Sequence, residues 1–285
     1  MRTADTQAPA RSGELILLRA GDATLTIDPN AGARFASLTV DGRELLVTEA
    51  ASPIDWGCYP MAPFAGRIRD GRFTFRGHSY QLETAMPPHA IHGTVLDRAW
   101  TVLEAGDDHA AFEIDLGAGW PFRGGVRQSI ELGPTGLRAA LVLDADEPMP
   151  AWLGWHPWFR RRVGAGGSLE LEFAAGRMYE RGDDGLPTGR RIDPTTGPWD
   201  DAFTDVAYPP RLRWPGLLTL EIDSLAPVWV VYDERPAAVC VEPQSAPPDA
   251  IGLAEIAGEA PPTAEPGRPM MIEMTWRWER DRAAA

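Results

Sequence analysis

Lysine is missing altogether: all 27 basic residues of the 285-residue chain are arginine. Chemistries that need a primary amine on the protein are therefore excluded, among them Schiff-base aldol cleavage, lysine-anchored pyridoxal catalysis and the phosphate-loop lysine. Cysteine is nearly as scarce. Cys58 and Cys240 are too few and too far apart in sequence for a zinc motif or a disulfide framework. Two reduced thiols are expected, with a single bridge between them as the alternative. No uncharged apolar run of about 18 residues occurs, which removes a membrane-spanning helix. Positive charge is also in short supply. The formal net charge is −14, so nucleic acid would be repelled at long range. The first twenty residues, with Arg2, Asp5 and Arg11 around Gln7-Ala8-Pro9, lack the apolar core of a signal peptide, and a cytoplasmic protein is the expectation.

Helical periodicity is lacking as well; every long segment with an apolar stripe is interrupted by Pro or Gly. What the chain has instead is short strands and turns. Leu15–Leu18, Ala23–Ile27 and Ser37–Val40 lead through an Asp41-Gly42 turn into Leu45–Val47. Phe73–Phe75 and Tyr80–Leu82 flank Gly77, and Val126–Leu132 turns at Pro134-Thr135-Gly136 into Leu137–Leu143. Further strands are expected over 168–173, 217–222, 228–232, 238–242 and 270–278, the last alternating cleanly as a one-face-buried antiparallel strand. With 29 Gly and 27 Pro, and without a repeat of fixed period, this is the grammar of a large antiparallel β-sandwich. Gly182–Pro198 and Ala257–Pro269 read as loops. One domain over residues 14–280 is expected, preceded by a flexible segment over 1–13.

Polar residues with chemical promise cluster at five places. Val239-Cys240-Val241-Glu242-Pro243-Gln244 is an apolar run that ends at a carboxylate and a proline. Alternation puts Val239 and Val241 on one face, with Cys240 and Glu242 on the other. A Glu at a strand end is usually just solvated, but it faces a cleft if the valines face the core. In Pro63-Phe64-Ala65-Gly66-Arg67-Ile68 an apolar loop delivers Arg67 as a fixed planar donor, or as one half of a structural salt bridge. Pro88-His89-Ala90-Ile91-His92-Gly93 places His92 beside a Gly that permits close approach of a ligand. His89 and His92 have no third partner at a metal-binding spacing. Gly154-Trp155-His156-Pro157-Trp158-Phe159 reads as a dense aromatic loop, where His156 is either a satisfied core histidine or a general acid or base. Trp158 there offers an aromatic face of the kind that sugars stack on. Trp199-Asp200-Asp201-Ala202-Phe203 supplies hydroxyl acceptors, or merely solvated loop acids.

Taken in chain order, from Pro63–Ile68 to Glu242-Pro243-Gln244, these five motifs resemble the successive signatures of the aldose 1-epimerase (galactose mutarotase) family, over roughly residues 15–278. The resemblance implies an all-β fold, a large antiparallel β-supersandwich that carries a sugar cleft. It implies Glu242 as general base at the C1 hydroxyl and His156 as acid at the ring oxygen. Arg67 and His92 resemble the donors that orient substrate, Asp200 the acceptor for ring hydroxyls, and Gln244 and Trp158 further substrate contacts. Neither cofactor nor metal is implied. The expected partner is a small-molecule sugar, and the expected assembly a monomer or homodimer. The chain departs from the common pattern after His156, where it continues Pro157-Trp158-Phe159-Arg160-Arg161-Arg162.

Three rival readings stand beside mutarotation of a free aldose. A non-catalytic sugar-binding or regulatory protein would not require both Glu242 and His156. A glycoside hydrolase or lyase on a similar sandwich is another, and hydrolysis would call for two carboxylates, with Asp200 or Asp201 as partner to Glu242. A sugar-phosphate mutarotase could use the Arg160–Arg162 run, which otherwise reads as a solvated edge.

Overall fold

Alternating apolar and polar residues are satisfied when a strand buries one face, and two such sheets laid face to face share a core. The computed structural model describes residues 14–84 and 86–281, and the flexible segment expected over 1–13 lies outside them. An 11-stranded antiparallel sheet follows the path Ile16–Ala20, Ala23–Asp28, Arg34–Val40, Cys58–Met61, Gly154–Arg160, Ala238–Gln244, Val228–Tyr232, Asp200–Val206, Ala175–Arg181 and Pro187–Ile192, with Arg43–Glu44 off it. Eight strands form the second sheet, with Gly124–Gly133, Gly136–Ala145 and Met270–Arg280 at its centre. Ile272, Met274, Trp276 and Trp278 of the last strand are buried, as the alternation predicts.

The two sheets meet through aromatic side chains. Trp276 packs against Phe35 and Phe159, at centroid distances of 5.8 and 5.0 Å, and Phe159 also meets Trp214. Trp155 reaches across to donate its indole N–H to Gln128 Oε1 at 2.9 Å, and Gln128 Nε2 donates to the Ala33 carbonyl at 2.7 Å. One hydrophobic cluster spans both sheets. No helix of the described residues is long and apolar enough to cross a membrane; the α-helix Ala250–Ala257 is short.

Several local expectations need correction. Glu242 does not stand at a strand end: its strand continues through Pro243, and Gln244 still pairs with Val228. The aromatic loop around His156 is a central strand, Gly154–Arg160. Pro157 and Pro243 each lack an N–H. They fall where the ladder between these two strands is interrupted, between the pairs Gly154↔Gln244 and Trp158↔Cys240. Asp200 and Asp201 open a strand rather than sit in a loop. Within the expected Gly182–Pro198 loop lies the edge strand Pro187–Ile192, whose side chains are mostly exposed and so carry no apolar alternation. The strand expected over Leu45–Val47 is Arg43–Glu44, followed by a single bridge from Leu46 to Phe159. Cys58 and Cys240 are both free and buried. Their register partners, Pro157 and Trp158, are consecutive residues, so the two thiols point to opposite faces of the sheet.

Candidate active site

The face of the large sheet turned away from the second sheet carries the polar residues, in rows set by register. Gly154↔Gln244 and Trp158↔Cys240 share one register, so His156 stands opposite Glu242. Tyr59 pairs with His156 on one side, and Val230 pairs with Glu242 on the other. The neighbouring row runs from Trp158 through Cys240 and Tyr232 to Asp200. Val239 and Val241 turn into the core between the sheets, as alternation requires, and Glu242 faces the open side.

Two loops bring the remaining residues over this face. Arg67 pairs with Ile91, and the His92 amide donates to the Gly66 carbonyl at 2.8 Å, which ties the two motif loops together. His92 has a left-handed φ of 58°, and Gly93 follows at 81°. Gly93 is obligatory there, because a Cβ would lie 1.9 Å from the Ala62 carbonyl oxygen. Trp152 holds the loop from below, its indole N–H donating to the Ala65 carbonyl at 2.7 Å. Asp249, fully buried, clamps it from the other end. Its amide donates to the Arg67 carbonyl at 2.7 Å, and its carboxylate accepts from the Arg69 amide at 3.1 Å.

The resulting cavity holds ≈ 420 Å³, within the roughly 300–1,000 Å³ usual for small-molecule sites. Arg67, His92, His156, Trp158, Asp200, Glu242 and Gln244 all line it. His156 Nε2 lies 3.2 Å from Glu242 Oε1, and Gln244 Nε2 donates to Glu242 Oε2 at 3.0 Å. The His156 ring stacks on Tyr59 and Trp158 at 5.0 and 5.1 Å and meets the edge of His92 at 5.0 Å. Trp158 presents little open face: it is 2% exposed, with the Arg235 guanidinium 4.5 Å from its ring centre. Asp200 lies 3.7 Å from both Arg67 and Arg181.

Burial sets the protonation of the central pair. Desolvation drives the Glu242 carboxyl well above the usual range, reinforced by Asp200 and opposed by the Gln244 hydrogen bond and by Arg67. Desolvation, with the Arg67 charge, pulls the His156 imidazole down to about 3. His92 is lowered for the same reasons, burial first and then the neighbouring His156 and Arg67. Both members of the pair thus favour their neutral forms, with one proton to share across 3.2 Å.

Several further residues border the cleft, of which sequence reasoning had singled out only Asp201. Asp201 lines it and is held by Arg181 Nε at 3.2 Å, while Arg181 also lies 3.6 Å from Glu234. Arg235 donates to Asp55 at 2.9 Å. Apart from the Asp201 carboxylate already flagged beside Asp200, these are single charged residues in unremarkable stretches, and nothing in their spacing marks them. Conversely, His89 is spent on structure: its Nδ1 accepts from the Asp70 amide at 3.0 Å. Arg160 donates to the Leu46 carbonyl at 2.6 Å, and Arg161 to those of Arg235 and Asp233 at 2.9 and 2.6 Å; neither lines the cleft.

The family model for aldose 1-epimerase matches residues 14–211. The chain belongs to the aldose 1-epimerase family. An uncharacterized Escherichia coli K12 protein, YphB, is 27% identical over 220 residues, covering 68% of this chain and 75% of that protein. Among solved structures, a galactose mutarotase-like protein of Clostridium acetobutylicum superposes with a TM-score of 0.79 at 19% identity, over 93% of this chain and 95% of its own. The galactose 1-epimerase of Lactobacillus acidophilus NCFM does so with a TM-score of 0.76 at 15% identity, over 96% and 98%. At these identities the family fold is what is shared. The match to the family model ends before Glu242 and Gln244, so those two residues stand on the geometry of the cleft.

Proposed function

We propose that the protein is a cytoplasmic, cofactor-free mutarotase that interconverts the anomers of a free aldose, with Glu242 and His156 as its acid–base pair. The observation that carries this reading is the 3.2 Å contact between their side chains inside a cleft of polyol-binding character. Ring opening needs a proton taken from the C1 hydroxyl while another is delivered to the ring oxygen. Passing the shared proton from Glu242 to His156 creates a carboxylate base and an imidazolium acid with no proton drawn from solvent. Glu242 then accepts the O1 proton, C1–O1 becomes a double bond, the C1–O5 bond breaks, and His156 protonates O5. The pair is left neutral, the form that its burial favours. After rotation about C1–C2 the same transfers run backwards and close the ring on the other face.

The rest of the cleft suits an uncharged sugar. Arg67, Arg181 and Arg235 are offset there by Asp55, Asp200, Asp201 and Glu234, a mixture that offers donors and acceptors without a net field for an anion. Arg67, His92, Asp200 and Gln244 would orient the hydroxyls, and Trp158 would wall the His156 side. Because Arg160 and Arg161 are committed to backbone carbonyls and none of Arg160–Arg162 lines the cleft, a phosphorylated substrate bound there gains nothing from that run.

Polarimetry of freshly dissolved α-D-glucose and α-D-galactose in a weakly catalytic buffer tests the reading. The parent protein should accelerate mutarotation of at least one sugar, and His156→Ala should not. Equal rates with the two proteins would refute the assignment. Binding of either sugar without any acceleration by the parent would favour a sugar-binding protein instead.

A further inference from the structure

Cys240 belongs to the same face as the acid–base pair. It precedes Glu242 by two residues on one strand and stands opposite Trp158, two residues beyond His156, on the next. Its sulfur, a ring nitrogen of His156 and a carboxylate oxygen of Glu242 all lie within 4.8 Å of one another, and all three residues are buried. His156 Nδ1 is buried with no hydrogen-bond partner among the described residues, while Nε2 meets Glu242 at 3.2 Å. One sulfur, one imidazole nitrogen and one carboxylate oxygen form a donor set for a borderline-soft cation.

We propose that His156, Cys240 and Glu242 bind a thiophilic divalent cation of the Zn²⁺ class, which silences the enzyme by occupying its acid–base pair. Bond lengths of about 2.0–2.3 Å place neighbouring donors of a tetrahedral ion roughly 3.3–3.8 Å apart. His156 Nε2 and Glu242 Oε1 are already at that spacing, and Cys240 has to close by at most about 1.3 Å from the 4.8 Å limit to reach the roughly 3.5 Å of a sulfur–nitrogen or sulfur–oxygen pair. The ion enters through the cleft, which opens on His156 and Glu242. A fourth position remains for solvent or a sugar hydroxyl. Magnesium and calcium ions, which demand oxygen ligands, do not suit this set. Sugar and ion thereby compete for the same two side chains. The silencing, though not the binding, rests on the mutarotase reading above.

Cobalt(II) titrated into the full chain tests the site through its spectrum. His109, which contacts Glu104 and Asp108 at the surface, is a competing place for the ion and is removed beforehand as His109→Gln. One equivalent of Co²⁺ should give a thiolate-to-metal charge-transfer band together with the intense visible bands of a four-coordinate ion, and Zn²⁺ should displace it. Absence of the charge-transfer band would overturn the proposal, and this outcome is read on protein with Cys240 intact. Cys240→Ser should abolish the band and weaken Zn²⁺ binding by more than the roughly 10–100-fold that loss of an outer partner costs a metal site. Unchanged Zn²⁺ affinity in that variant would equally overturn it. Where mutarotation is measured, Zn²⁺ should suppress the parent, a chelator should restore it, and Cys240→Ser should keep its rate in both conditions. A parent without mutarotase activity would refute the function above and leave the cobalt titration to decide the site.

Discussion

Glu242 and His156 come from segments 86 residues apart, yet stand opposite each other on adjacent antiparallel strands, with Oε1 and Nε2 3.2 Å apart. Their protonation is coupled by that distance and shifted by burial in opposite directions.

The base limb of the rate profile should reflect this shift. With the Glu242 carboxyl raised by desolvation, the pair keeps its single shared proton well above the ordinary glutamate value of about 4.5, so kcat/KM is expected to hold through that range and to fall only at the higher pH where the pair loses the proton. Glu242→Gln should lose about 10²–10⁴-fold in kcat while it still binds sugar. Polarimetry across pH, paired with calorimetric sugar titration, measures both. A parent profile that already declines as pH rises through about 4 to 5 would count against Glu242 as the carrier of the shared proton.

Stability should depend on pH through the same residues. His156 falls from 6.5 to about 3 on folding, so its contribution is present above about 6.5 and is lost as pH drops towards 3. Glu242 is raised on folding; its contribution is complete below its usual 4.5 and is lost as pH rises through the folded value. Urea unfolding of the parent should therefore show stability falling on the acid side, less steeply in His156→Asn. Glu242→Gln should match the parent at low pH and exceed it at neutral pH and above.

Arg67 is held in place by Asp249, and the two should fail alike. Arg67→Ala is expected to raise KM and lower kcat, since it removes an orienting donor. Asp249→Ala removes the acceptor of the Arg69 amide and the buried one of the two carboxylates paired with its guanidinium, Asp184 remaining, and so loosens the loop that carries Arg67. It should raise KM in the same direction, with the chemical step otherwise intact. An Asp249→Ala protein with the parental KM would show that the clamp does not position Arg67.

Gly93→Ala should be among the most damaging single-methyl changes in the chain. Backbone strain at a φ of 81° costs about 1–3 kcal/mol, and the Cβ would meet the Ala62 carbonyl oxygen at 1.9 Å. Thermal unfolding should register the loss, and His92, the preceding residue, should be displaced enough to weaken sugar binding. Gly77→Ala, where a Cβ has nothing within 4 Å, provides the comparison for φ strain without a clash.

Strands with one wet face were legible in the sequence, and so were the doubly buried apolar runs Val228–Tyr232 and Ala238–Gln244; a doubly buried strand rich in aromatics and proline, and an exposed edge strand, were not. Met270–Arg280 alternates because one side faces the core, and it was readable residue by residue. In Gly154–Arg160 six of seven residues are buried, since the core lies behind Trp155 and Phe159 while the cleft encloses His156 and Trp158. Alternation vanishes there, and Pro157 imitates a loop. Pro187–Ile192 has the opposite problem, an edge strand with little to bury. The seven candidate cleft residues could be picked from motif chemistry, but their mutual placement is a matter of register across distant strands. Arg34 carried no signal at all. It is fully buried, gives hydrogen bonds to the carbonyls of Ala31, Pro53, Trp56 and Leu96, and is lowered to about 10 by desolvation.

The row from Tyr59 through His156, Glu242 and Val230 to Ala202 recruits five strands whose order across the sheet differs from their order along the chain. A nascent chain that has emerged only as far as residue 237 possesses the imidazole and the orienting arginine but not the carboxylate. Pairings of such sequence separation close late, because loop-closure entropy must be overcome before they are rewarded. On the proposed mechanism catalytic competence would be a property of the finished topology, and recovery of turnover during refolding should report insertion of the Ala238–Gln244 strand.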